Sequence, residues 1–340
     1  MNNTSIFKKI FGKSEVLYFL LFAVVFIALG IASPKSFLGQ YNLQSMACQV
    51  PEFGVLALGG MLCIITGGID LSIVSNGVLS GVIASLAMYQ YVGAAGDHQS
   101  AAVIMLIISV VCVLTGLILG LFNGTLIAFF NIPPILATLG SMKLFDGIAT
   151  VITGGEPFRD YPEVISKLAN ENVFLVPVTF YIFIAMCFVL WIILEKTKTG
   201  QSIYLYGESP LVSRYSGLNN RLTLLKTYGL CGIMCGISGL IMMSRFNSIK
   251  VGYGNTYQLL TVLVAIMGGV HPNGGKGKIL CVFFSILVLQ CITSGFNILN
   301  FSNYVRNIIY GAVLIVVMII YVLAPVVSQK LSYRAQRKTE

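Results

Sequence analysis

The chain has 340 residues, of which 56% belong to the AVILMFWYC set and only 10% are Asp, Glu, Lys or Arg. A soluble domain carries about 25% charged residues, so this composition excludes an ordinary water-soluble globule, a disordered chain and a disulfide-stapled secreted module; a mean hydropathy of +0.88 leaves a polytopic membrane protein. The net charge of +9 does not point to nucleic acid, because the basic residues are scattered through short segments between apolar runs, the pattern of the positive-inside rule.

A helix crosses the bilayer core with about 20 mostly apolar residues. On that measure the sequence predicts ten spans, at about 16–33, 43–66, 71–92, 101–122, 134–153, 173–194, 226–245, 257–271, 279–297 and 304–327. The first follows Lys8, Lys9 and Lys13, and its apolar core is longer than the 7–15 residues of a signal-peptide core, so it is expected to be retained as a helix. With the N-terminus inside, the inner segments hold fourteen Lys and Arg and the outer segments with their borders hold six. This asymmetry predicts both termini on the cytosolic side and an even number of spans. The expected fold class is therefore all-α and polytopic, about ten transmembrane helices, some of them broken, in a single transmembrane domain over 1–340. Residues 1–15 and the basic tail 328–340 would be cytosolic, with a long cytosolic loop at 195–225.

Two stretches depart from simple spans. Span 43–66 contains Pro51, Glu52, Gly54, Gly59 and Gly60; proline removes a donor and kinks a helix, and a break at membrane depth is tolerated only in a protein interior or a wet cavity. Next comes Thr66-Gly67-Gly68-Ile69-Asp70-Leu71-Ser72, where Gly67 and Gly68 suit a helix stop and Asp70 or Ser72 an N-cap. The same residues suit a plain tight turn with no function. Gly-Gly also ends two other spans, at 154–155 and 268–269, a likeness too local to establish a duplication.

No catalytic set is present. The two histidines, His98 and His271, are far apart, and Lys276 in Gly274-Gly275-Lys276-Gly277-Lys278 is followed by Gly, whereas a phosphate loop needs G-x-x-x-x-G-K-[ST] after a strand. The chain is accordingly expected not to be an enzyme, and no metal site is expected. The eight cysteines form no C-x-x-C pair and suit small apolar core residues. Intramembrane ionisable residues are the default functional candidates. Lys143 and Asp146, three apart, are expected to neutralise each other; Glu52 stands in the irregular span; Arg306 suits snorkelling at the start of the last span. In the 195–225 loop, residues 209–216 predict two helical turns, with Ser209 as N-cap, Pro210 in the first turn and Gly217 as the stop. Such a short polar helix suits docking to a soluble partner, and equally suits a structured loop without one.

At these residues the chain resembles the membrane permease of a ribose-type sugar importer driven by an ATP-binding cassette (ABC), in the superfamily that includes branched-chain amino acid permeases. The likeness is carried by Leu58-Gly59-Gly60-Met61 through Ser72 with Leu79-Ser80-Gly81, by Asn123-Gly124 with Ile132-Pro133-Pro134 and Ala137 to Met142, by Gly207 to Asn219, by Met267-Gly268-Gly269 with Gly274 to Gly277, and by Tyr304 to Gly311. It departs from the family pattern at Val212 and Ser213, at His271-Pro272-Asn273, and at Arg306 and Tyr310.

The resemblance implies a multi-pass protein of a bacterial cytoplasmic (inner) membrane and an identical or different second permease subunit. It also implies cytosolic ATP-binding subunits that carry ATP-Mg and the hydrolysis, and an extracytoplasmic sugar-binding protein. No cofactor is expected on this chain and no nucleic acid as partner. Gly207, Glu208, Ser209, Arg214, Ser216, Gly217 and Asn219 would form the segment that couples to the ATPase, while Gly67, Gly68, Asp70 and Ser72 would form a structural turn. Glu52, Asn76, Asn123, Thr138 and Ser141 are candidate contacts along the translocation path. Scarce mid-membrane charge fits a neutral, hydrogen-bonding sugar. A nucleoside, inositol, a sugar-like signal or a branched-chain amino acid are the alternative cargoes, and a stand-alone secondary carrier is the alternative mechanism.

Overall fold

The computed structural model describes residues 14–95, 100–302 and 304–319. In chain order the helices are α1 (Ser14–Ala32), α2 (Pro34–Phe37), α3 (Gln40–Ile65), α4 (Ile73–Ala95), α5 (Ala101–Ala128), α6 (Pro134–Thr153), α7 (Glu163–Asn170), α8 (Val178–Lys196), α9 (Lys198–Glu208), α10 (Pro210–Tyr215), α11 (Asn220–Phe246), α12 (Asn255–Met267) and α13 (Ile279–Ile298). A shorter apolar helix, α14 (Tyr304–Ile319), follows. The strands are two residues each: β1 (Phe158–Arg159) pairs antiparallel with β4 (Ser248–Ile249), and β2 (Asn172–Val173) with β3 (Val176–Pro177). Each of the ten expected spans coincides with a helix. Among the described residues eight helices are long and apolar enough to cross a membrane, and α12 and α14 are the shorter two. The protein is an all-α polytopic membrane protein. The expected N-terminal segment 1–13, the end of the last span beyond 319 and the tail 328–340 lie outside the described residues.

α3 is the central column: every residue from Val50 to Ile65 is buried. α11 and α4 are also mostly buried, while α1, α5, α6 and α8 keep most of their apolar surface outward, as helices bathed in lipid do. Pro51 does not break α3. The helix runs continuously for 26 residues with the proline inside it, so the expected interruption is instead an unbroken helix. Proline forfeits one helical bond and crowds the carbonyl a turn earlier, and α3 stays helical within close packing on all sides.

Lipid supplies no hydrophobic force between helices, so close backbone approach does the packing. One close crossing joins α5 and α11 through two G-x-x-x-G steps, Gly116/Gly120 and Gly232/Gly236. A Cβ on Gly232 would stand 2.2 Å from the Gly116 carbonyl oxygen, and one on Gly116 would stand 2.3 Å from that of Gly232.

The segment 155–172 is strapped across one end of the bundle. α7 buries Ile165 and Ala169; their carbonyls accept from Ser244 Oγ and, at 3.6 Å, from Cys48 Sγ. α1 is part of the fold: Phe22, Phe26 and Leu29 pack on Phe37, Met46 and Cys291, and Lys278 Nζ reaches Glu15 Oε1 at 2.7 Å.

Candidate functional site

The turn between α3 and α4 is built from backbone outward. α3 stops in a Schellman motif: Gly67, at φ +79°, donates to Ile64 O (2.9 Å) and Gly68 to Cys63 O (3.0 Å). The left-handed φ at Gly67 is the conformation only glycine adopts without strain. Gly68 is held by space, since a Cβ there would lie 2.6 Å from Tyr228 Oη. The chain then turns on Asp70, whose Oδ1 accepts from Ser72 N–H (2.8 Å) and Ser72 Oγ (2.7 Å). Ser72 Oγ in turn accepts from Asn123 Nδ2 at 2.7 Å, and Leu71 N–H donates to Thr138 Oγ1 at 3.1 Å. Cys231 Sγ donates to Asp70 Oδ2 at 3.8 Å. Three helices, α5, α6 and α11, therefore grip a buried turn. Cys63, Asp70 and Cys231 also bring one potential ligand atom each within 4.8 Å of one another.

Four of the path candidates are buried in this structure. Asn123 and Thr138 are fully buried; Asn123 Nδ2 and Thr138 Oγ1 bond the turn, while Asn123 Oδ1 is buried with no hydrogen-bond partner. Asn76 is buried and donates to Gly116 O at 3.3 Å, and Ser141 donates to its own helix at Ala137 O, 2.9 Å. All four stand inside the helix packing. Glu52 is buried too, but in an ion pair: Arg245 Nη1, from the end of α11, donates to Oε2, and Tyr257 Oη donates to the same oxygen at 2.6 Å. Arg245 and Glu52 are 193 residues apart, so no local pattern marks the pair. The expected neutralisation of Lys143 by Asp146 does not occur. Among the described residues the ion pairs are Lys167–Glu163, Arg245–Glu52 and Lys278–Glu15, and Lys143 points outward from α6.

At the C-terminal end of α3 lies the segment 197–219. Ser209 Oγ caps α10, accepting from Val212 N–H at 3.3 Å, with Pro210 at the first helical position. The helix stops in a second Schellman motif, in which Gly217, at φ +79°, donates to Arg214 O (3.1 Å) and Leu218 to Ser213 O (3.2 Å). Asn219 then caps α11, its Oδ1 accepting from Leu222 N–H at 3.1 Å. Ser213, the buried member of α10, donates to Asn220 Oδ1 and Asn220 Nδ2 to Pro210 O, both at 2.8 Å. So clamped, α10 turns Leu211, Val212 and Tyr215 outward, with exposures of 62, 53 and 83%. Glu208, Arg214 and Ser216 are exposed beside them.

Gly207 ties this surface to the core. A Cβ there would fall 1.8 Å from Ile65 O, the carbonyl that also accepts from Gly275 N–H at 2.8 Å. Tyr204 Oη adds a bond to Gly277 O at 2.7 Å. Burial pushes the Tyr204 phenol up to about 12, so it remains a donor at any physiological pH. The end of α9, the 274–277 turn and the C-terminus of α3 thus meet at one point.

Residues 42–318 match the family described as "Branched-chain amino acid transport system / permease component". The chain belongs to this permease family. Among curated proteins, the galactose/methyl galactoside import permease protein MglC of Escherichia coli (strain K12) is 30% identical over 302 residues, covering 86% of this chain and 89% of that protein. The autoinducer 2 import system permease protein LsrD of Yersinia pestis (strain Pestoides F) is 29% identical over 272 residues, 78% of each chain. No solved structure matches.

Of the predicted site residues, the permease brings Gly67, Gly68, Asp70, Ser72, Asn123 and Thr138 together at the turn, and Gly207 to Asn219 into one clamped surface that abuts the same end of α3. Ile65 was missed because its part is played by a backbone carbonyl, which leaves no side-chain signature. Tyr257 and Arg245 were missed because their partner lies on a distant helix.

Proposed function

We propose that this permease is the membrane-spanning subunit of an ABC importer for a monosaccharide or a sugar-like molecule, seated in a bacterial inner membrane. Cytosolic ATP-binding subunits would drive it and an extracytoplasmic binding protein would supply it. The observation that carries the reading is α10: a capped, side-chain-clamped helix with an outward apolar face, resting through Gly207 on the last carbonyl of the central helix. A rigid element of this kind transmits a push from a docked partner, whereas a loose loop would absorb it. Closure of the ATP-binding subunits moves α10, α10 moves the Ile65 junction, and the buried turn at Asp70 carries that displacement into α4, α5 and α6. The printed names of the relatives, one importing galactose and methyl galactoside and the other autoinducer 2, support a sugar or sugar-like cargo.

The test is purification of the tagged chain from its own host in mild detergent. An ATP-hydrolysing subunit is expected to co-purify, and Leu211→Asp with Tyr215→Asp, or Glu208→Arg, is expected to release it while the amount of permease in the membrane stays unchanged. A chain that purifies alone and moves solute in vesicles under an ion gradient would establish a secondary carrier instead.

A further inference from the structure

At the opposite end of α3 from the α10 junction, α3, α12, α13 and α14 enclose a cavity of about 300 Å³. Phe53, on its wall, is twelve residues from Ile65, which at 1.5 Å per residue sets the cavity about 18 Å up the helix from the coupling contact. Its lining combines flat aromatic surface with amides, hydroxyls and one guanidinium, that of Arg306. Gln290 Nε2 donates to Gln49 Oε1 at 3.1 Å, joining α13 to α3 and leaving amide capacity on both residues. Thr293 Oγ1 is 2.9 Å from Leu289 O and 2.7 Å from Tyr310 Oη. With the threonine proton on Leu289 O, Tyr310 donates to Thr293 and keeps its own lone pairs as acceptors. Tyr257 presents its ring, its phenol held by Glu52 outside the cavity. Arg306, with Nη1 on Asn297 Oδ1, borders the same space.

We infer that this cavity is a binding station for one neutral polyhydroxylated ring on its way through the permease. This deepens the reading of a sugar importer and rests on it. Three observations select that class. About 300 Å³ is the lower end of small-ligand pockets, which suits a single monosaccharide. Amides, hydroxyls and a guanidinium alternate with aromatic faces, matching a ring that has hydroxyl edges and an apolar C–H face. The lining contains no Asp or Glu among the described residues, so an amino acid's ammonium would find no carboxylate there and would pay its desolvation unpaired.

Asn307 lines the cavity from an exposed position on α14, so Asn307→Trp fills the mouth, and Ile308→Ala, at an exposed neighbour outside the lining, is the control. Gln290→Leu removes the inner amide. The assay measures uptake of radiolabelled D-ribose, D-galactose and L-leucine in host cells whose own copy of the gene is replaced by each variant. Membrane level and ATPase co-purification are followed in parallel. We expect the maximal uptake rate of a pentose or hexose to fall tenfold or more in Asn307→Trp and Gln290→Leu and to persist in Ile308→Ala, with membrane level and co-purification unchanged. Wild-type sugar uptake in both disruptive variants would overturn the station and leave the importer standing. Uptake of L-leucine without either sugar in the unmodified chain would overturn the sugar reading, and this inference with it.

Discussion

Glu52 shows how a single buried charge is made tolerable. It is wholly enclosed, yet Arg245 and Tyr257 both donate to it. Removing one member of a buried pair strands the other and costs about 3–5 kcal/mol. Arg245→Leu is therefore expected to lower the thermal unfolding midpoint in detergent sharply, and Arg245→Leu with Glu52→Gln to recover part of the loss; an unchanged midpoint in the single variant would show that the pair contributes nothing. Asp70 is a buried acceptor. Its Oδ1 serves two donors from Ser72, and leaving a buried donor without its acceptor costs about 1–3 kcal/mol. Asp70→Ala should destabilise far more than Asp70→Asn, which keeps an acceptor. Equal unfolding midpoints in the two variants would count against the turn as described. The motif around Asp70 is plain in the sequence as a turn; that Asn123 and Thr138 hold it is not, because each comes from a different helix.

Elements differ in how much of them is local. α10 was legible in full: Ser209, Pro210 and Gly217 stand where a capped two-turn helix requires them, and the bonds at Val212, Gly217 and Leu218 follow. Ser209→Ala is expected to cost about 1 kcal/mol of helix stability, and Gly217→Ala to strain a residue at φ +79°. Both are expected to lower transport-coupled ATP hydrolysis in reconstituted vesicles while leaving insertion intact; full coupling in both would detach α10 from energy transfer. Pro51 ran the other way. Its local rule predicts an interruption, and the surrounding helices hold α3 continuous. The Lys143–Asp146 expectation failed similarly, because a shared helix face is necessary for a pair but does not compel one.

Across the whole molecule, helix contacts are set by small residues and enclosed polar groups rather than by apolar area. Gly232→Leu would drive a side chain into the Gly116 carbonyl and is expected to reduce the folded permease in the membrane to a small fraction of its normal amount, read by fluorescence-detected gel filtration. Normal yield and an unshifted peak would mean that the α5–α11 crossing is not needed for the fold. The packing also predicts a thiol pattern. All eight cysteines are free; Cys63, Cys112, Cys231 and Cys235 are buried, and Cys48 and Cys187 are partly open. In native membranes the first four are expected to resist maleimide until the chain is denatured.

By itself the sequence determined that the chain lives in a membrane, roughly where each of its membrane-spanning helices lies, and where α3 and α10 stop. Those features depend on apolar run length and on caps only a few residues long, so neighbouring residues decide them. Tertiary structure alone decided that Glu52 meets Arg245, that Ile65 is the seat of Gly207 and Gly275, that Asn76, Asn123, Thr138 and Ser141 are buried between helices, and that Gln49, Gln290, Thr293 and Tyr310 share a cavity. Each of these joins segments far apart in the chain, often through a backbone atom, and a linear pattern carries no record of such a meeting until the helices are packed.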